Sequence, residues 1–150
     1  MGWKRTLRLL VLGFVGFVVL IQFVPYGHDH SNPPVTAEPQ WDSPRTRELA
    51  ARSCFDCHSN LTTWRWYSNV APVSWLVQHD VDEGRAVVNF TEWDKPQEGL
   101  GDIAEIVAGG EMPPIQYSLF RPGSKLSDAE RQELVDGLRA TISASPPGGG

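Results

Sequence analysis

The sequence predicts an all-α fold, a small helical domain with long loops, preceded by a helix that crosses a membrane. Three observations predict it. Four stretches carry a helix-start or helix-stop signal, apolar residues at helical spacing, or both. No stretch alternates apolar and polar residues as a half-buried strand would. An apolar run near the start follows a cluster of basic residues. The 150 residues suffice for one small core with accessory segments.

The chain opens MGWKRTLR and continues into an apolar run over residues 9–24, in which Gln22 alone is polar. Trp3 and Tyr26 stand where interfacial aromatics belong. Residues 1–26 are therefore expected to be an uncleaved signal anchor, with Lys4, Arg5 and Arg8 in the cytoplasm. The remainder would then lie on the periplasmic side of a bacterial cell membrane as a single-pass protein. The alternative is a cleaved signal ending at the VTA of residues 35–37. Residues 27–42 are polar and proline-rich and read as an extended linker. Their His28 and His30 read as solvated linker residues rather than a metal pair. Residues 43–143 form the expected domain, and 144–150 a disordered tail.

The first helix of the domain begins at Ser43 as N-cap with Pro44 at the first helical position, and runs into the cysteines. The second starts near Pro72 and sets Val73, Leu76, Val77 and Val81 on one side. The third aligns Leu100, Ile103, Ile106 and Val107 and stops at Gly109 or Gly110. The fourth opens with a capping box from Ser127 to Glu130, then repeats Leu134, Val135, Leu138 and Ile142. Residues 59–71 and 111–126 are left as irregular connections.

A net charge of −5 argues against a nucleic-acid partner, which would call for a basic face. The chemistry is concentrated in CFDCH, residues 54–58, which holds both cysteines. A Cys54–Cys57 disulfide would close too short a loop to constrain the unfolded chain. A thioredoxin-like dithiol requires an α/β setting. A structural zinc site requires four ligands, and the domain adds only His79. The remaining reading is C-x-x-C-H as the attachment site of one haem c. Two thiols add across the vinyl groups, and the imidazole of His58 is placed to bind the iron. Candidates for the sixth position are Met112 in GGEMPP, whose prolines stiffen the backbone, His79, water or nothing. His79 is the weaker candidate. Trp66, Tyr67, Trp75 and Trp93 are candidates to wall the ring, and Arg65 to meet a propionate.

With CFDCHSN at 54–60, TWRWYSNVAPVSWLV at 63–77, DVDEGR at 80–85, NFTEW at 89–93, GEMPP at 110–114 and LSDAE at 126–130, the chain resembles the small haem-binding domains of bacterial exported proteins. These are placed in the cytochrome c superfamily. Arg65 replaces a proline often found between the two tryptophans of that pattern. The resemblance implies a mono-haem, mainly helical, cytochrome c-like domain with His58 proximal and Met112 distal. The expected function is single-electron transfer by a membrane-anchored c-type cytochrome, exchanging with a respiratory complex or another exported redox enzyme, and not catalysis. A haem-based sensor with a labile sixth ligand is the alternative, and a peroxidase a weaker one.

Overall fold

In the computed structural model, residues 2–148 are described, and among them the fold is all-α with no strand. Met1, Gly149 and Gly150, the extremities of the expected anchor and tail, lie outside the described residues. The helices are α1 (Gly2–Ile21), α2 (Pro44–Ser53), α3 (Phe55–His58), α4 (Val73–Val87), α5 (Ile103–Gly109), α6 (Ile115–Phe120) and α7 (Asp128–Ala144), with a 3-10 turn at Trp66–Asn69. The chain divides into two compact units, residues 1–31 with 64–80, and residues 32–63 with 81–150.

In the first unit, α1 forms where the apolar run was read, but it corrects the expected membrane span. No helix among the described residues is long and apolar enough to cross a membrane. The reason is where the charges fall. Lys4, Arg5 and Arg8 sit inside α1, in its first two turns. The uncharged part, residues 9–21, rises only about 20 Å at 1.5 Å per residue, against a hydrocarbon core of about 30 Å. The single-pass anchor, and the membrane location built on it, are therefore withdrawn. The polar exception in that run has a defined role. The Gln22 amide donates to the carbonyl of Ala71 at 3.1 Å and accepts from its N–H at 2.9 Å. His30 stacks on Trp64 with centroids 4.6 Å apart, and its Nε2 lies 2.8 Å from the Ser68 carbonyl.

The second unit is layered on α2 and α7. Ser43 caps α2 by accepting from the Thr46 N–H, and Ser127 and Glu130 form the full capping box of α7. Leu49 and Ala50 of α2, Leu134, Val135 and Leu138 of α7, and Ala104 and Val107 of α5 make the aliphatic core. Each fully buried leucine contributes about 1.5–3 kcal/mol. An aromatic layer continues it: Phe90 lies 5.9 Å from Phe55, 5.4 Å from Trp41 and 5.8 Å from Trp93 between centroids. Trp41 belongs to the proline-rich stretch. That stretch carries no helix or strand, and residues 36–41 lie along the domain. Thr36 and Ala37 donate to the Thr91 carbonyl, and Trp93 donates to the Ala37 carbonyl at 3.0 Å. At the other end, Trp93 Nε1 donates to the Ser145 carbonyl, and Gly148 N–H to the Trp93 carbonyl.

The 3-10 turn and α6 lie in stretches whose sequence predicts irregular connections, and α3 is a separate turn after the helix that runs into the cysteines. The face of α4 also differs. Its buried residues are Ser74, Gln78, Val81 and Gly84, whereas Leu76 is 48 % exposed. Polar and small residues occupy positions that apolar periodicity had assigned to Leu76 and Val77.

Candidate haem site

Cys54 is at once the last cap of α2 and the first cap of α3. Its carbonyl accepts the N–H groups of Cys57 at 3.1 Å and His58 at 2.9 Å, which winds residues 54–58 into a single tight turn. That turn brings both sulfur-bearing side chains and the imidazole into one stretch of five residues. Cys54 and Cys57 are partly buried thiols and are not joined as a disulfide. Burial, followed by the nearby Cys57, pushes the Cys54 thiol up to about 12. Redox dithiols lower a cysteine pKa instead, so Cys54 does not have the character of an exchange thiol.

The segment after α4 holds His58 in place. Its Nδ1 lies 3.1 Å from the carbonyl of Val88. A carbonyl can only accept, so Nδ1 carries the proton and Nε2 carries the lone pair. Burial lowers the His58 pKa, partly opposed by the Val88 and Gly84 carbonyls, and so favours the neutral form that binds metals. The His58 carbonyl accepts from Phe90 N–H at 2.9 Å. A Cβ on Gly84 would stand 2.5 Å from the Cys57 carbonyl oxygen, so glycine lets α4 lie against the turn. Arg85 Nε donates to the Ser59 carbonyl at 2.9 Å. Behind the turn, the Asn89 amide donates to Asn60 Oδ1, and Asn60 N–H to Thr91 Oγ1 at 2.7 Å.

Met112 lies on the segment between α5 and α6 and is 37 % exposed. α5 ends at Gly110 in the left-handed conformation, φ 78°, which glycine adopts without strain. Arg131 Nη1 donates to the Val107 carbonyl at 3.0 Å and steadies that end. On the other side, Tyr117 of α6 donates its hydroxyl to Asp56 Oδ2 at 3.0 Å, and Arg121 forms an ion pair with the same carboxylate. Asp56 is the second variable residue of C-x-x-C-H, so the Met112 segment is tied to the cysteine turn.

The remaining sequence candidates are dispersed. Trp93 is buried in the aromatic layer, 4 % exposed. Trp66 is 78 % exposed and meets Tyr67 edge-on, in the first unit. Trp75 is half-buried, and Arg65 and His79 are exposed. Among the described residues, no three His, Cys, Asp or Glu side chains gather as a metal cluster.

A family model described as a haem-binding domain matches residues 16–140. The chain belongs to the haem-binding domain family. No curated protein and no solved structure matches it. Family membership makes haem the cofactor, and the donor set of the turn fits it. Two thiols flank two residues, and an imidazole follows with Nε2 as its lone-pair nitrogen. The residues missed from sequence, Asp56, Gly84, Val88, Tyr117 and Arg121, act through backbone groups or contacts distant in the chain. For Asp56, the only visible signal was a charged residue inside the motif.

Proposed function

We propose that the chain is a cytochrome c-like electron carrier with one covalent haem, which Cys54, Cys57, His58 and Met112 would hold. The observation that carries this reading is the Cys54–His58 turn, with His58 Nδ1 committed to the Val88 carbonyl. Cys54 and Cys57 would hold the haem as thioethers, each S–H adding across one vinyl group with the hydrogen passing to the other carbon and no oxidant needed. When bound, haem supplies an iron that passes single electrons between ferric and ferrous states. His58 offers Nε2 to that iron, and the Val88 carbonyl fixes the orientation and basicity of the ring. The thioether of Met112 favours a higher potential than a second histidine would. The Phe55–Phe90 layer keeps water from the inner side of the turn. The role is electron exchange with a redox protein, and no substrate is turned over. With a net charge of −5, a basic patch on the partner is favoured.

One observation favours a second reading. Met112 is 37 % exposed, and a ligand so placed can yield to a small molecule, as a haem-based sensor requires. Spectroscopy separates the two. His/Met ligation gives a weak far-red band in the ferric protein, and Met112→Ala is expected to abolish it. High-spin iron that binds carbon monoxide readily in the unaltered protein would favour the sensor. Replacing both Cys54 and Cys57 by serine is expected to remove haem staining from a denaturing gel. Covalent haem surviving that change would overturn the attachment.

A further inference from the structure

We propose that Asp56 is a positioning residue for Met112, acting as a latch that fastens the methionine segment to the haem-attachment turn through Tyr117 and Arg121. The proposal rests on Met112 being the sixth ligand. The C-x-x-C-H pattern leaves its second variable position open to many residues, yet here it holds a buried acid, 8 % exposed. A buried carboxylate is costly unless its oxygens are satisfied. Those of Asp56 are satisfied in two directions. Oδ1 accepts the Thr63 N–H at 3.1 Å, which fixes the carboxylate on its own turn. Oδ2 accepts the Tyr117 hydroxyl at 3.0 Å and pairs with the Arg121 guanidinium, both contributed from the stretch beyond Met112. Arg121 is itself mostly buried, with 18 % of its side chain exposed.

Met112 is thereby held from both sides. Upstream, Glu111 N–H is bonded to the Ile106 carbonyl at 3.2 Å, so the chain is still attached to α5 one residue before the methionine. Downstream, Tyr117 is attached to Asp56. Between them, α6 exposes Ile115 and Leu119 by 77 and 74 %, so these two apolar side chains do little to hold it. The polar latch is a contact that fixes this stretch to the turn. A thioether is a weak ligand, so its occupancy depends on how well its segment is preorganised. Breaking the latch raises the entropic cost of ligation without touching the thiols or His58.

The test uses the haem-loaded full chain and compares Asp56→Ala, the near-isosteric Asp56→Asn, and Tyr117→Phe with Arg121→Gln, alongside Met112→Ala. Readouts are covalent haem on a denaturing gel, the far-red ferric band, carbon monoxide affinity of the ferrous form and amide hydrogen exchange over residues 111–120. Latch variants are expected to keep covalent haem, lose most of the band, bind carbon monoxide at least about tenfold more tightly and exchange these amides at least about tenfold faster. Arg121→Lys should restore part of the band. If Asp56→Ala does not fold, the Tyr117/Arg121 double variant, which leaves the turn intact, decides. Should Met112→Ala erase the band while the latch variants keep it, with exchange unchanged, the latch falls and the ligand assignment stands. A spectrum indifferent to Met112→Ala removes the ligand assignment, and the latch role with it.

Discussion

Gly84 shows how one missing side chain shapes the site. Its α-carbon faces Cys57 so closely that a Cβ would lie 2.5 Å from the carbonyl oxygen and 2.9 Å from the carbonyl carbon. Backbone cannot yield as a flexible side-chain end can. Alanine normally gains about 1 kcal/mol over glycine within a helix. Here overpacking should reverse that sign and cost about 1–3 kcal/mol. Gly84→Ala is therefore expected to lower the urea midpoint and to reduce the haem-to-protein ratio. Equal midpoints and full haem loading would refute the close packing of α4 on the turn. At this scale the sequence was informative wherever chemistry is local. Cys54, Cys57 and His58 lie within five positions, and their spacing alone pointed to the turn. Asp56 and Tyr117 are 61 positions apart, and no periodicity or motif joins them. Val88 contributes a carbonyl, which every residue possesses, so nothing in its side chain marks it.

Among the elements, α2 and α7 approach each other closely at Gly137. A Cβ there would approach Thr46 Oγ1 to 2.1 Å and Cγ2 to 2.7 Å. Gly137→Ala should cost about 1–3 kcal/mol by urea unfolding, and adding Thr46→Ala should recover most of the loss, because the nearest atoms go while the backbone N–H that Ser43 caps remains. If the double variant is no better than the single, the contact is not the cause. The start of α7 makes a pH prediction. The Ser127 backbone N–H, then the Arg52 side chain, hold the Glu130 carboxyl down at about 2, below an ordinary value of about 4.3. A depressed carboxylate stabilises above its unfolded pKa, and that stability is lost as pH falls through the folded one. The melting-temperature gap between the unaltered chain and Glu130→Ala should hold above pH 5 and close towards pH 2. A gap that persists at pH 2 would show the capping box to be independent of charge. Caps of this kind were legible because donor and acceptor sit three positions apart. α6 was not, since its six residues bury no apolar side chain and carry no periodic stripe. The buried side of α4 escaped because Ser74, Gln78 and Gly84 do not register as apolar.

For the molecule as a whole, the acidic balance sets the kinetics expected of a carrier. Attraction between a −5 protein and a basic partner is screened over about 10 Å at 0.1 M salt. Electron exchange with a cationic redox protein should therefore slow as ionic strength rises in stopped-flow measurements, and exchange with an acidic one should quicken. Insensitivity to salt in both would remove the charge argument. The all-α class followed from composition and periodicity, whereas the membrane span did not survive, because three charges inside α1 shorten its apolar length. Trp93 carries a consequence for chain order. Its N–H reaches Ala37, its carbonyl is reached by Gly148, and its indole by Ser145. Ala37, near the start of the second unit, and Gly148, near its end, thus meet at one residue, within the reach of a few extended residues at about 3.3 Å each. A bridge there could close residues 37–148 into a ring and let it be reopened at an exposed turn such as Gly101, which lies between the thiols and Met112. The methionine and the thiols could then enter translation in the reverse order, a direct way to learn whether haem loading depends on which of them is made first.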